Sequence, residues 1–162
     1  MRGSILDNII IMTIVFLFAF GTLVGYVLYK EFYNTISQYY PAMAQNKAVQ
    51  NLPHIFSIFD FGILTMIILF GITSIALAAR IRTHPVFFVI SFILFLISVY
   101  LAWIYSNIFE MLMHYSLFDV AAAYLSTLCE VMLQYSMIFA VIGLLILLAT
   151  YTKLYEIYTY GR

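Results

Sequence analysis

Arg80-Ile81-Arg82-Thr83-His84-Pro85 is a short basic stretch set between two long apolar runs, and its reading decides the fold. It is too short for the chain to do anything but reverse. The flanking runs therefore form an antiparallel helical hairpin, each arm long enough for a bilayer, which takes about 20 apolar residues per helix. With 65% hydrophobic and 9% charged residues and a mean hydropathy of +1.06, the chain has more apolar surface than a water-soluble globule of 162 residues can hide. Its solvent is lipid.

Working outward, the uncharged runs mark four spans, at about 8–29, 57–79, 85–109 and 131–152, all in one membrane domain covering 1–162. The first is longer than the roughly 7–15-residue core of a secretory signal and so reads as a membrane helix. The runs are continuously apolar, whereas a barrel strand alternates, and helices satisfy every backbone group internally. The expected fold is an all-α integral membrane four-helix bundle. Pro85 suits the first turn of the third helix and Pro53 the start of the second, because a first-turn N–H has no helical partner. Asp7-Asn8 is a plausible cap for the first helix, and Gly161 lies past the last.

Four spans place the N-tail, the 80–85 turn and the C-tail on one side. That side carries Arg2, Arg80, Arg82, Lys153 and Arg162, against only Lys30 and Lys47 on the other. By the positive-inside rule both termini and the central turn are cytoplasmic, with Arg80, Arg82, Lys153 and Arg162 as the determinants. Five of the seven acids, Glu31, Asp60, Glu110, Asp119 and Glu130, fall outside. Tyrosines 26, 29 and 33, those at 151, 155 and 158, and Trp103 with Tyr100 and Tyr105 read as interfacial anchors. In the outer loops the first helix should continue to about Tyr40, with a short helix over Met43–Val49. A helix capped by Asp119 should run into the fourth span.

The net charge of zero argues against nucleic acid, and a lone cysteine, Cys129, excludes an internal disulfide. If the third helix continues, Asn107, Glu110 and His114 share a face, with Glu130 and Cys129 near the same depth and His54 and Asp60 within reach. Carboxylates with imidazole are metal-ligand chemistry, so Glu110, His114 and Glu130 form a weak candidate metal set. Four-helix metal sites repeat a Glu-x-x-His pair on two helices, and this chain does not, so a polar stripe at the membrane rim or at a subunit contact is the stronger reading and no cofactor is expected. The spans hold no ionisable residue of the kind that a transport path requires. They hold small residues instead: Gly21 and Gly25, Ser91 and Ser98, and the stripe Ser136, Ala140 and Gly143. Such residues let helices approach closely in lipid. No phosphate loop or nucleophile set is present, so no enzyme activity is expected.

The stretch Ile81-Arg82-Thr83-His84-Pro85-Val86-Phe87-Phe88, followed by an aliphatic span and Ser106-Asn107-Ile108-Phe109-Glu110, resembles a pattern in small four-span membrane proteins of tailless viruses with a membrane under the capsid. The resemblance covers about the middle third of the chain and implies a component of the virion or host-cell membrane. It carries no catalytic residues. The expectation is a structural membrane protein that packs with copies of itself or with other membrane or capsid proteins. The alternative is an accessory subunit of a membrane enzyme or transport complex, metal-linked at its outer face.

Overall fold

The computed structural model describes residues 5–80 and 85–160, with side chains described from Asn8 to Arg80 and from Val86 to Thr152 except Phe87. Every regular element among them is helical: α1 (Ile5–Tyr39), α2 (Pro41–Ala44), α3 (Lys47–Ala78), α4 (Pro85–Met113), α5 (Asp119–Tyr124), α6 (Ser126–Leu133) and α7 (Tyr135–Tyr160). A 3-10 turn, Ser116–Phe118, joins α4 to α5. Four of these helices, α1, α3, α4 and α7, are long and apolar enough to cross a membrane.

Their surface chemistry is inverted relative to a water-soluble bundle. Leu69, Ile72, Val89, Leu96, Met137 and Leu148 are exposed, while Asn8, Thr22, Asp60, Ser98, Ser106 and Thr150 are buried. Threonine hydroxyls along the long helices bond back to the carbonyl one turn earlier, as Thr22 does to Phe18 at 2.9 Å and Thr150 to Ile146 at 2.8 Å. Each such bond satisfies a hydroxyl without a partner from outside the helix.

Several boundaries differ from expectation. The side chain of Asn46 accepts from the Ala48 amide at 2.9 Å and starts α3 at Lys47, so there is no separate helix over 43–49 and Pro53 lies inside α3. Proline has no N–H for the Val49 carbonyl one turn back, and the Tyr29 hydroxyl donates to that oxygen instead, at 3.3 Å. Because α1 already begins at Ile5, Asp7 and Asn8 lie within it and do not cap it. Asp119 opens α5 without making a capping hydrogen bond, and α5 does not run on into the last helix. The chain bends by 109° between the Ser116–Tyr124 segment and α6, then breaks again at Gln134. Gly161 lies outside the described residues.

The helices are also staggered. α4 and α7 pair along their length, with the Phe88 ring 5.9 Å from Tyr151 and Phe95 lying over Gly143. α3 joins them where Ile142 meets Gly71. α1 arrives higher: Thr13 Oγ1 is 3.1 Å from the Tyr105 hydroxyl, the Phe16 ring stacks on Tyr105 at 4.4 Å, and the Tyr135 hydroxyl donates to the Met12 carbonyl at 2.6 Å. At 1.5 Å per residue, α4 rises roughly 30 Å from Pro85 to Tyr105, whereas α1 rises only about 12 Å from Ile5 to Thr13. The core divides accordingly. One cluster joins Met12–Tyr26 of α1 to Ile63, Ala102, Phe109 and Tyr135, and a second, around Ala78, Ile146 and Leu147 near the Arg80 turn, contains no described side chain of α1.

Candidate functional site at the far end of the bundle

Opposite the Arg80 turn, α1 continues beyond the end of α4 at Met113, and α5 and α6 take the place α4 has left. Tyr26 is only 3% exposed; its ring stacks on Tyr124 of α5 at 4.7 Å and meets Phe56 of α3 edge-on at 5.4 Å. The Tyr124 hydroxyl donates to the Pro53 carbonyl at 3.0 Å. Tyr26 is thus an internal packing residue and not the expected interfacial anchor. Tyr105 is half-buried, with its ring against Phe16 and its hydroxyl beside Thr13 Oγ1, while Tyr100 and Trp103 are exposed and stacked on each other.

Asp60 is the buried acid of this region. Its Oδ1 accepts from the Leu128 backbone N–H at 2.7 Å. Leu128 is the third residue of α6, so its amide is one of the first-turn donors that a helix cannot satisfy itself, and the residue before α6, Leu125, has no polar side chain to do so. The carboxylate of α3 therefore caps α6 from another helix, and its negative charge faces the positive end of the helix dipole. Cys129 follows directly; burial first, and the Asp60 carboxylate second, push its thiol up to about 11. At the other end of α6 the Ser106 hydroxyl donates to the Leu133 carbonyl at 2.7 Å. One polar side chain thus holds each end of this eight-residue helix.

The candidate metal residues are not gathered. Glu110, His114 and Glu130 are all exposed, and no group of three or more His, Cys, Asp or Glu side chains among the described residues is placed to hold a metal ion. α4 ends at Met113, which puts His114 in the turn and breaks the shared helical face that Asn107, Glu110 and His114 would need. His54 is exposed on α3, and Asp60 is occupied by the α6 amide.

The small residues divide by environment. A Cβ on Gly143 would lie 2.6 Å from the Phe95 ring and one on Gly25 would lie 3.3 Å from Phe56, so both admit a neighbouring aromatic. Gly21 has nothing within 4 Å of that position and faces out. Ser136 and Ala140 line an open groove of about 540 Å3 between α4 and α7, opposite Phe95, Tyr100 and Trp103. Ser91 is half-buried. Ser98 is fully buried with its hydroxyl unpartnered, as is the side-chain amide of Asn8. Of the charge determinants, Arg80 is exposed at the end of α3, Arg82 and Arg162 lie outside the described residues, and so does the side chain of Lys153.

The roles of Asp60, Ser106 and Tyr135 are not apparent from spacing. The one signal was an acid between two phenylalanines, Phe59-Asp60-Phe61, since a carboxylate in apolar surroundings needs a partner. Compared with known protein families, curated proteins and solved structures, the chain matches none.

Proposed function

We propose that this chain is a non-enzymatic integral membrane protein that serves a structural role, assembling with copies of itself or with other membrane proteins. The observation that carries the membrane part is the inverted polarity of the long helices, with aliphatic side chains outward and Asn8, Thr22, Ser98 and Thr150 inward. Support for assembly comes from Gly21 and Gly62, which have nothing within 4 Å of a would-be Cβ and so leave notches on the outward faces of α1 and α3 that the chain's own packing does not use. The Lys and Arg distribution supports cytoplasmic termini. The resemblance over 81–110 supports placement in a virion membrane.

Each part has its own test. The protein should stay in the membrane pellet after an alkaline carbonate wash; release into the supernatant rules out insertion. In a Cys129→Ser background, Arg82→Cys should be labelled only from the cytoplasmic side and His114→Cys only from the other, and the reverse pattern inverts the topology. For assembly, the mass of the detergent-solubilised complex should exceed one chain and fall on Gly62→Leu, and a monomer at all concentrations defeats that role. Copurification with particles tests the virion placement, and loss during particle purification removes it.

A further inference from the structure

Between α1 and the 3-10 turn with α5 lies a half-enclosed crevice of about 130 Å3 lined by both apolar and charged side chains. Val27, Leu117 and Val120 supply apolar walls, and Lys30, Glu31 and Asn34 supply a cation, a carboxylate and an amide. These three polar residues share a face of α1 with Val27 at helical spacing. The volume is several times the roughly 30 Å3 share of one water and well below the roughly 300 Å3 at which drug-sized sites begin. It suits a compact group that carries both signs of charge. A purely anionic group would satisfy Lys30 but bring its charge against Glu31, a like-charge contact that disfavours it. Lys30 is also where the uncharged run of α1 ends.

We propose that this crevice binds a phosphate–ammonium zwitterion, the headgroup chemistry of phosphatidylethanolamine. The phosphate meets the Lys30 ammonium and the Asn34 amide, the amine meets the Glu31 carboxylate, and the adjoining carbons lie against Val27 and Val120. A lipid source rests on the reading that α1 crosses the bilayer; soluble phosphoethanolamine carries the same chemistry without it.

The test uses the full chain in mild detergent and native mass spectrometry with phosphatidylethanolamine or phosphatidylglycerol. Wild type should retain phosphatidylethanolamine at least tenfold better than phosphatidylglycerol. Lys30→Gln should lower that retention at least tenfold, and Glu31→Gln should bring the two lipids to parity. Val120→Trp, which fills the crevice and touches neither charge, should lower retention of both; it carries the test if a charge variant fails to fold. Equal phosphatidylethanolamine retention in wild type and Val120→Trp overturns the proposal, as does an unchanged lipid preference in Glu31→Gln. Vesicle flotation separates the two readings. Should the protein fail to float, insertion is wrong and the crevice is judged by thermal shift with soluble phosphoethanolamine, where a wild-type shift lost in Lys30→Gln supports a soluble ligand and no shift removes the site.

Discussion

Replacing Asp60 by alanine removes the acceptor that holds the Leu128 amide at 2.7 Å and leaves a first-turn donor of α6 without its partner. A buried hydrogen bond left unmade costs roughly 1–3 kcal/mol, and loss of an N-capping side chain costs about 0.5–2 kcal/mol. Both figures describe the same bond and are not added. Against them stands relief of a desolvated charge, because Asp60 is only 5% exposed and has a single amide partner at α6. We therefore expect a net cost of about 2 kcal/mol for Asp60→Ala, and about 1 kcal/mol for Asp60→Asn, which keeps a neutral acceptor in place.

The single cysteine reports on this bond directly. Cys129 is 7% exposed and adjoins Leu128, so a maleimide reaches it when the first turn of α6 opens. With a tenfold change per 1.4 kcal/mol, a cost of 2 kcal/mol raises the open population, and with it the labelling rate, about 30-fold in Asp60→Ala; Asp60→Asn should give about fivefold. Loss of the carboxylate also removes one of the two causes that raise the thiol, which pushes the rate the same way. A labelling rate in Asp60→Ala within twofold of wild type, at unchanged helix content, would show that Asp60 does not hold α6.

Gly143→Ala should destabilise the α4–α7 pair by about 1–3 kcal/mol, because its Cβ would sit 2.6 Å from the Phe95 ring, whereas Gly21→Ala, with nothing within 4 Å, should raise the melting temperature of the solubilised monomer. Tyr135→Phe should cost about 0.5–1.5 kcal/mol in denaturant titration through loss of the 2.6 Å bond to Met12, while Ser98→Ala, which deletes an unpartnered buried hydroxyl, should be neutral or stabilising. Cys129 gives stability a pH dependence of definite sign. Its folded thiol stays neutral up to about 11, above the roughly 8.5 of an unfolded thiol, so the unfolded chain ionises first. The contribution is complete below the lower value and lost as pH rises through the upper one, and Cys129→Ser should abolish that part of the decline between pH 8 and 11.

The four helices long and apolar enough to cross a membrane were legible because a one-dimensional rule covers them: in lipid, a run without charge and of sufficient length must be helical. The start of α4 at Pro85 follows from that rule and from proline chemistry, and α1 runs on past its uncharged stretch to Tyr39, just short of Pro41. The far end was not legible, because there one polar group satisfies another across the fold. Asn46 starts α3 ahead of Pro53, and the Tyr29 hydroxyl meets the carbonyl that Pro53 leaves unpaired, a pairing between residues 20 apart in sequence. Asp60 and Leu128 are 68 apart. Nor does any pattern within one helix encode the stagger between helices, so the tyrosines expected at the rim could not be told apart: Tyr26 is buried, Tyr105 is half-buried and Tyr100 is exposed.

The stagger accounts for what the α5–α6 bend does. Because α1 meets α4 at Tyr105, the part of α1 beyond Tyr26 loses α4 as a neighbour where that helix ends at Met113. A straight helix from Asp119 into the last span would leave that surface bare. Bending by 109° instead lays α5 against Tyr26 and returns the chain through α6 to the top of α7. A bend exposes helix ends, and in apolar surroundings each free N–H or C=O is costly, so the bend requires polar groups from neighbouring helices. Asp60 from α3 and Ser106 from α4 supply them at the two ends of α6. The buried polar residues here are therefore explained by the geometry of the bend. Lys30, Glu31 and Asn34, which line the crevice between α1 and α5, are not required by it.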